Sequence, residues 1–249
     1  YSNLDMIIIT PKEFISAAED LKIIHQSDGL DVIVVTDEEI YNEFSSGLRD
    51  ATAIKQFLRM LYVKASGNPS SIPKYCLLFG DGSYDNRNIL GHNNNKLPIF
   101  ESSESLSVTN TYASDDYFAI LSDGASMQNS DFLNIGVGRL VVNDLVEAND
   151  MVQKIRNYVS EDNSNAGETC SNTTSNSIYG PWRNKVVMVS DDEDNNAYFN
   201  DIEIMSGKIK SNKPTANIIK IHSDAYAQKS TTVGERIPDA SAAINQKVQ

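Results

Sequence analysis

The chain has 249 residues, with 34 acidic against 21 basic side chains, a net charge of -13 and a pI of about 4.6. That balance repels a phosphate backbone, and no Lys/Arg stripe or zinc-knuckle spacing offsets it, so nucleic acid is excluded as a partner. No apolar run approaches the roughly 20 residues of a membrane-spanning helix, and Tyr1-Ser2-Asn3-Leu4 carries no signal-peptide pattern.

In chain order, Asp5-Met6-Ile7-Ile8-Ile9 predicts a strand buried on both faces. Thr10-Pro11-Lys12-Glu13 reads as a helix start, with Thr10 as cap and Pro11 pre-set for the first turn. Phe14, Ala17, Ala18, Leu21 and Ile24 then recur at helical spacing, with Gly29 in the turn beyond. Val32 to Val35 is a second buried strand, so the opening is a parallel, right-handed crossover. Residues 41–50 look irregular. Asp50 can cap a second helix, whose stripe is Ile54, Phe57, Leu58 and Leu61.

The next strand, Tyr75-Cys76-Leu77-Leu78-Phe79, ends abruptly in Gly80-Asp81-Gly82-Ser83-Tyr84-Asp85. Carboxylates at the carboxyl end of a parallel strand stand where ligands and catalytic groups collect in open α/β sheets. Residues 86–111 read as a long Asn- and Ser-rich surface loop. Ser114-Asp115-Asp116-Tyr117-Phe118-Ala119-Ile120-Leu121 predicts a short strand opened by paired acids, and Asn134 to Leu140 another strand. Leu145, Ala148, Val152, Ile155 and Val159 describe a helix capped by Asn143 or Asp144.

Residues 161–181 carry almost no apolar side chain and predict a loop or linker between two α/β units, 1–160 and 182–249. The alternation resumes with a strand at Val186 to Val189, a helix within 197–210, a strand at Ile218 to Ile221 and a helix from about Asp239. The second unit has too few strands to finish a sheet and is expected to be incomplete. The fold class is therefore α/β, with two doubly wound units and mainly parallel sheets.

Ser190-Asp191-Asp192-Glu193-Asp194 follows its strand directly and concentrates like charge at one sheet edge. A cation, a neighbouring imidazolium or a shifted pKa would relieve it; a solvated acidic turn needs no relief. An aspartate pair after a strand also fits a phospho-receiver domain, but the expected phosphorylatable Asp and the Lys beyond it have no counterpart here. Cys76 lies in a buried-strand pattern and Cys170 in a polar stretch, so a disulfide is neither required nor excluded. His25, His92 and His222 have no Cys, Ser or second His at a spacing that makes a nucleophile or zinc site.

Several longer motifs occur together: Ile40-Tyr41-Asn42-Glu43-Phe44-Ser45-Ser46-Gly47, Leu77-Leu78-Phe79-Gly80-Asp81-Gly82-Ser83-Tyr84-Asp85, Ser114-Asp115-Asp116-Tyr117-Phe118, Ile135-Gly136-Val137-Gly138-Arg139-Leu140 and Asp224-Ala225-Tyr226. In this order they resemble the gingipain family of cysteine peptidases, and within it the sortases of the type IX secretion system of Bacteroidetes. The resemblance implies a caspase-like fold of two subdomains and a Cys/His dyad in the second. By that likeness the nucleophile and the His are not in this chain, so the polypeptide alone is expected to be inactive. It implies that Asp192 orients the catalytic His, with Asp191 the next candidate, and that Asp201 aligns with the acid at the base of an arginine-specific substrate pocket. It implies no cofactor for catalysis, and calcium as a structural ion with Asp81, Asp85, Asp115 and Asp116 as oxygen donors. The implied partners are secreted proteins with C-terminal sorting domains, lipopolysaccharide and other secretion components, at the outer-membrane surface of the cell. The competing expectation is a non-catalytic α/β interaction module with an acidic, calcium-binding crevice.

Overall fold

The computed structural model describes residues 4–65, 68–92, 94–104, 106–107, 110–127, 131–159, 181–191, 194–232 and 234–248. The chain divides into two compact units, Tyr1–Glu161 and Asp162–Gln249. Among the described residues no helix is long and apolar enough to cross a membrane.

The first unit is built on a four-stranded sheet of β1 (Met6–Thr10), β2 (Val32–Thr36), β3 (Tyr75–Phe79) and β6 (Gly136–Leu140), in the order β2-β1-β3-β6, with every pairing parallel. All five residues of β1 are buried, as its unbroken apolar run requires of a central strand covered on both faces. The pleat sorts the side chains by parity. Ile7, Ile9, Cys76 and Leu78 join the core under α2 (Asp37–Phe44) and α3 (Ala51–Ala65). Ile8 and Phe79 face α1 (Ile15–Ser27) and α4 (Leu145–Val159). Two helices on each face make the sheet doubly wound. A short antiparallel pair, β4 (Phe100–Glu101) with β5 (Ala113–Ser114), lies in the long connection before β6.

Local chemistry explains most element ends. The Asp50 carboxylate accepts the Thr52 N–H at 2.8 Å at the head of α3, and Asp144 rather than Asn143 caps α4 by accepting the Glu147 N–H at 2.9 Å. Three segments differ from their expected form. Thr10 is the last residue of β1, and its hydroxyl donates to the Phe79 carbonyl at 3.1 Å instead of capping a helix. Of residues 41–50, expected to be irregular, 41–44 are the second half of α2, which starts with a capping box in which Thr36 and Glu39 satisfy each other's backbone N–H, and 45–50 form neither helix nor strand. Ser114 to Leu121 is not a strand: after β5 the chain makes a 3-10 turn at Asp116–Phe118, and Ala119, Ile120 and Leu121 are buried as core plugs.

The second unit contains β7 (Lys185–Ser190) paired in parallel with β8 (Asn217–His222), connected through α5 (Ala197–Asn212). A hairpin of β9 (Lys229–Thr231) and β10 (Gly234–Arg236) follows, then α6 (Pro238–Val248). The Lys185 ammonium donates to the Lys247 carbonyl at 3.1 Å and ties α6 to the start of β7.

Asp37, at the first position of α2, is buried, and its pKa is pushed up to about 6 from an ordinary 3.8. Burial is the main cause; the Glu38 N–H at 2.9 Å and the Arg49 charge oppose it. The folded state therefore holds its proton more tightly than the unfolded chain, and stability falls as pH rises from about 4 to 6. The ionised group costs up to about 3 kcal/mol once both states are deprotonated. Asp37→Asn keeps an acceptor for Glu38 and is expected to be more stable than the parent at pH 7.5 and equal to it near pH 4, as read by urea denaturation at both values. Equal stability of the two proteins at pH 7.5 would show that Asp37 is not strained.

Candidate functional site

A parallel sheet offers its carboxyl edge for chemistry. In the first unit the part of that edge beyond β3 and β6 is filled by protein. Arg139, on β6, grips Asp115 with two bonds, Nε to Oδ2 at 2.9 Å and Nη2 to Oδ1 at 2.8 Å. The same guanidinium donates to the carbonyls of Gly80 at 2.9 Å, Leu97 at 3.3 Å and Pro98 at 3.1 Å. Gly82 packs so closely that a Cβ there would stand 2.4 Å from the Ile99 Cγ2 and 3.1 Å from the Arg139 Nη1. Lys96 closes the loop from the other side through an ion pair with Glu13 at 2.9 Å. Beyond β3 and β6 this edge is a lock that holds the long connection over the sheet, while beyond β1 and β2 a cleft of about 470 Å³ remains, lined by Pro11, Lys12, Glu13, Asp37 and Glu38.

The acids expected there as calcium ligands do not converge. Asp115 is committed to Arg139, and Asp85 spends both oxygens on the N–H groups of Ile89 and Leu90, each at 2.7 Å. Asp81 accepts the N–H of its neighbour Gly82. Among the described residues no group of three His, Cys, Asp or Glu is placed to hold a metal ion.

The carboxyl edge of β7 and β8 is of a different kind. Asp191 follows β7 directly and is exposed. Next to it, Ser190 Oγ lies 2.8 Å from His222 Nδ1, and the Ser223 hydroxyl donates to the Ser190 carbonyl at 2.9 Å. The His222 ring packs on Phe199 at a tilt of 43°, with ring centroids 4.4 Å apart, and its Nε2 stands 3.7 Å from Glu203 Oε1. The Lys220 ammonium holds both Glu203 oxygens, at 2.8 and 2.7 Å. A buried hydroxyl, an imidazole and a carboxylate in series fix the ends of both strands together, and Asp191 projects from that fixed end. Asn195 and Asn196 adopt left-handed backbone at φ 54° and 62°, a conformation Asn tolerates, and lead into α5. Asp192 lies outside the described residues. Asp201 is described, exposed near the start of α5.

The sequence reading passed over Arg139 and the Ser190–His222–Glu203 series. For Arg139 a signal existed: a charge between the apolar residues of a strand demands a partner. Cys76 cannot be a nucleophile, because it is fully buried on β3 and burial pushes its thiol up to about 12. Cys170 lies outside the described residues.

The model of peptidase family C25 matches residues 1–249. The chain belongs to peptidase family C25. Among solved structures, this C25 chain is similar to dimeric latent PorU from Porphyromonas gingivalis, with 32% identity over 62% of this chain and 15% of that one, at a TM-score of 0.54. It is also similar to the Arg-specific cysteine proteinase gingipain R, with 17% identity over 89% of this chain and 42% of that one, at a TM-score of 0.59. The second likeness is one of fold, and both place the doubly wound sheet in the caspase-like class. The chain spans 15% and 42% of the lengths of these two proteins. No curated protein sequence matches it.

Proposed function

We propose that this C25 chain is part of a cysteine endopeptidase that acts as the sortase of a type IX secretion system, removing C-terminal sorting domains from secreted cargo and attaching the cargo to surface lipopolysaccharide. The observation that supports the reading is the whole-chain C25 match together with 32% identity to PorU. In the proposed mechanism a thiolate, its proton held by a His, attacks the peptide carbonyl at the sorting-domain boundary. The C–N bond breaks, the amine leaves with the proton from the imidazolium, and an acyl-enzyme remains. Water or an amine of lipopolysaccharide, giving a proton to the neutral imidazole, then attacks the thioester, and the C–S bond breaks to release the thiolate. Asp192 supplies the carboxylate that holds the imidazole in one tautomer and stabilises its charged form. Asp201, on the exposed side of α5, meets a basic substrate residue. The enzyme works at the cell surface, associated with the outer membrane, together with other secretion components.

The thiolate and imidazole are assigned to the parent polypeptide, so a protein of residues 1–249 alone is expected to leave peptides uncleaved. The deciding assay mixes the parent protein with a cargo carrying a C-terminal sorting domain and a primary-amine acceptor, and follows the cargo by intact mass. The expected product is cargo that has lost the domain and gained the acceptor. Loss of the domain with water alone would reduce the reading to a peptidase, and unchanged cargo would overturn it.

A further inference from the structure

In the parallel register of β7 and β8, Ser190 stands opposite His222, so the two side chains leave the same face of the sheet as neighbours. Lys220, two residues earlier on β8, shares that face. The helix α5 meets it with Phe199 and Glu203, four residues apart and so on one side of the helix. The imidazole is therefore held twice: Phe199 packs on its ring, and the Glu203 carboxylate, gripped by the Lys220 ammonium, stands 3.7 Å from Nε2. These partners choose the tautomer. With the proton on Nε2 an N–H faces the carboxylate, whereas with the proton on Nδ1 a lone pair would face it. Nδ1 is then an acceptor, and the buried Ser190 hydroxyl donates to it at 2.8 Å. Among the described residues that hydroxyl has no other partner.

We propose that Ser190 and His222 are positioning residues for the acid of the peptidase site. The assignment rests on the peptidase reading above, in which that acid is Asp192, two residues beyond Ser190. Pairing with β8 ends at Ser190, and side chains take over from the ladder there. The hydroxyl–imidazole bond fixes the Ser190 side chain, and the Ser223 hydroxyl fixes its carbonyl at 2.9 Å. Together they set the direction in which the backbone leaves β7 through Asp191, and so aim the carboxylate that follows at the catalytic imidazole. A working carboxylate has to be held within about 0.5 Å of its productive place, and groups behind it supply that precision. The tautomer matters as much as the contact. An imidazole with its proton on Nδ1 would turn the Ser190 hydroxyl from donor to acceptor and set a lone pair against Glu203.

The test uses the different reach of two amides. Asn at position 222 sets an amide where Nδ1 stands and keeps a partner for Ser190, whereas Gln sets it where Nε2 stands and leaves the hydroxyl alone. In the parent peptidase, Ser190→Ala and His222→Gln are expected to lower kcat roughly 10- to 100-fold with KM nearly unchanged, and His222→Asn to keep most of the activity. Rates are taken per titrated active site and well below each variant's thermal melt, so a loss of folded protein does not register. In the 249-residue chain, the imidazole ¹⁵N spectrum at about pH 8 is expected to show His222 with Nε2 protonated and Nδ1 bare, and Ser190→Ala to release that preference. A protonated Nδ1, a Ser190→Ala enzyme as fast as the parent, or equal losses in His222→Asn and His222→Gln overturns the proposal while the peptidase reading stands. A parent that cleaves nothing overturns the peptidase reading and with it the role given to these residues, and the spectrum still reports whether the tether itself exists.

Discussion

Arg139→Met is expected to lower the stability of the first unit by about 3–5 kcal/mol, the cost of leaving one member of a buried ion pair without its partner. The Arg139 side chain is only 9% exposed and that of Asp115 23%, so water cannot replace the lost bonds at little cost. Three carbonyls, those of Gly80, Leu97 and Pro98, lose a donor at the same time. For a domain of this size each kcal/mol moves the melting temperature by about 2–4 °C, so a drop of about 10 °C is expected in a thermal melt. Arg139→Lys is expected to recover little, because an ammonium cannot reproduce a planar fork that meets a carboxylate twice and reaches carbonyls behind it. Adding Asp115→Leu to Arg139→Met is expected to restore part of the loss by removing the orphaned charge. If Arg139→Met stays within 1 kcal/mol of the parent, the lock is dispensable and the long connection is held by its apolar plugs alone.

Asp192→Asn, made in the parent peptidase, is expected to reduce kcat roughly 10²- to 10⁴-fold while changing KM little, because an amide neither fixes the tautomer of a catalytic imidazole nor stabilises its cation. Asp191→Asn is the paired control. Asp191 is exposed beside the Ser190–His222 contact, and its replacement is expected to cost no more than a few-fold. The reverse ranking would transfer the role to Asp191, and two small effects would remove the acid from the mechanism. Measuring both across pH separates a catalytic effect from a folding one, since only the former shifts the limb on which the thiolate–imidazolium pair forms.

How much of this was legible depended on how local the cause was. The strands β1 and β3 announced themselves because unbroken apolar runs bounded by turn formers have few other ways to be buried. The cap of α3 was legible because Asp50 and the Thr52 N–H it satisfies lie two residues apart. The helix α2 was missed although its capping box was in plain sight: Thr36 and Glu39 carry the signal, but the helix has only eight residues and few apolar positions to mark a period. Ser114 to Leu121 was misread because an apolar run predicts burial and not pairing. Ala119 and Leu121 are buried without a strand partner, their backbone served by Asn134. The fate of the acids could not be read at all. Whether Asp115 faces a cation site or a guanidinium depends on Arg139, 24 positions away in sequence.

The sequence by itself determined the alternation of the main strands and helices, the parallel character of the sheet and the family, because these follow from hydrophobic period, turn residues and motifs that lie within a few residues of one another. Tertiary structure alone decided what closes the carboxyl edge beyond β3 and β6. It joined Arg139 to Asp115 and three carbonyls, brought Ser190 beside His222 across β7 and β8, and, among the described residues, left β2 without a strand on its outer side. The physical reason is the same in each case. A charged or polar group takes its role from the partner that packing brings to it, and packing joins residues that sequence spacing cannot relate.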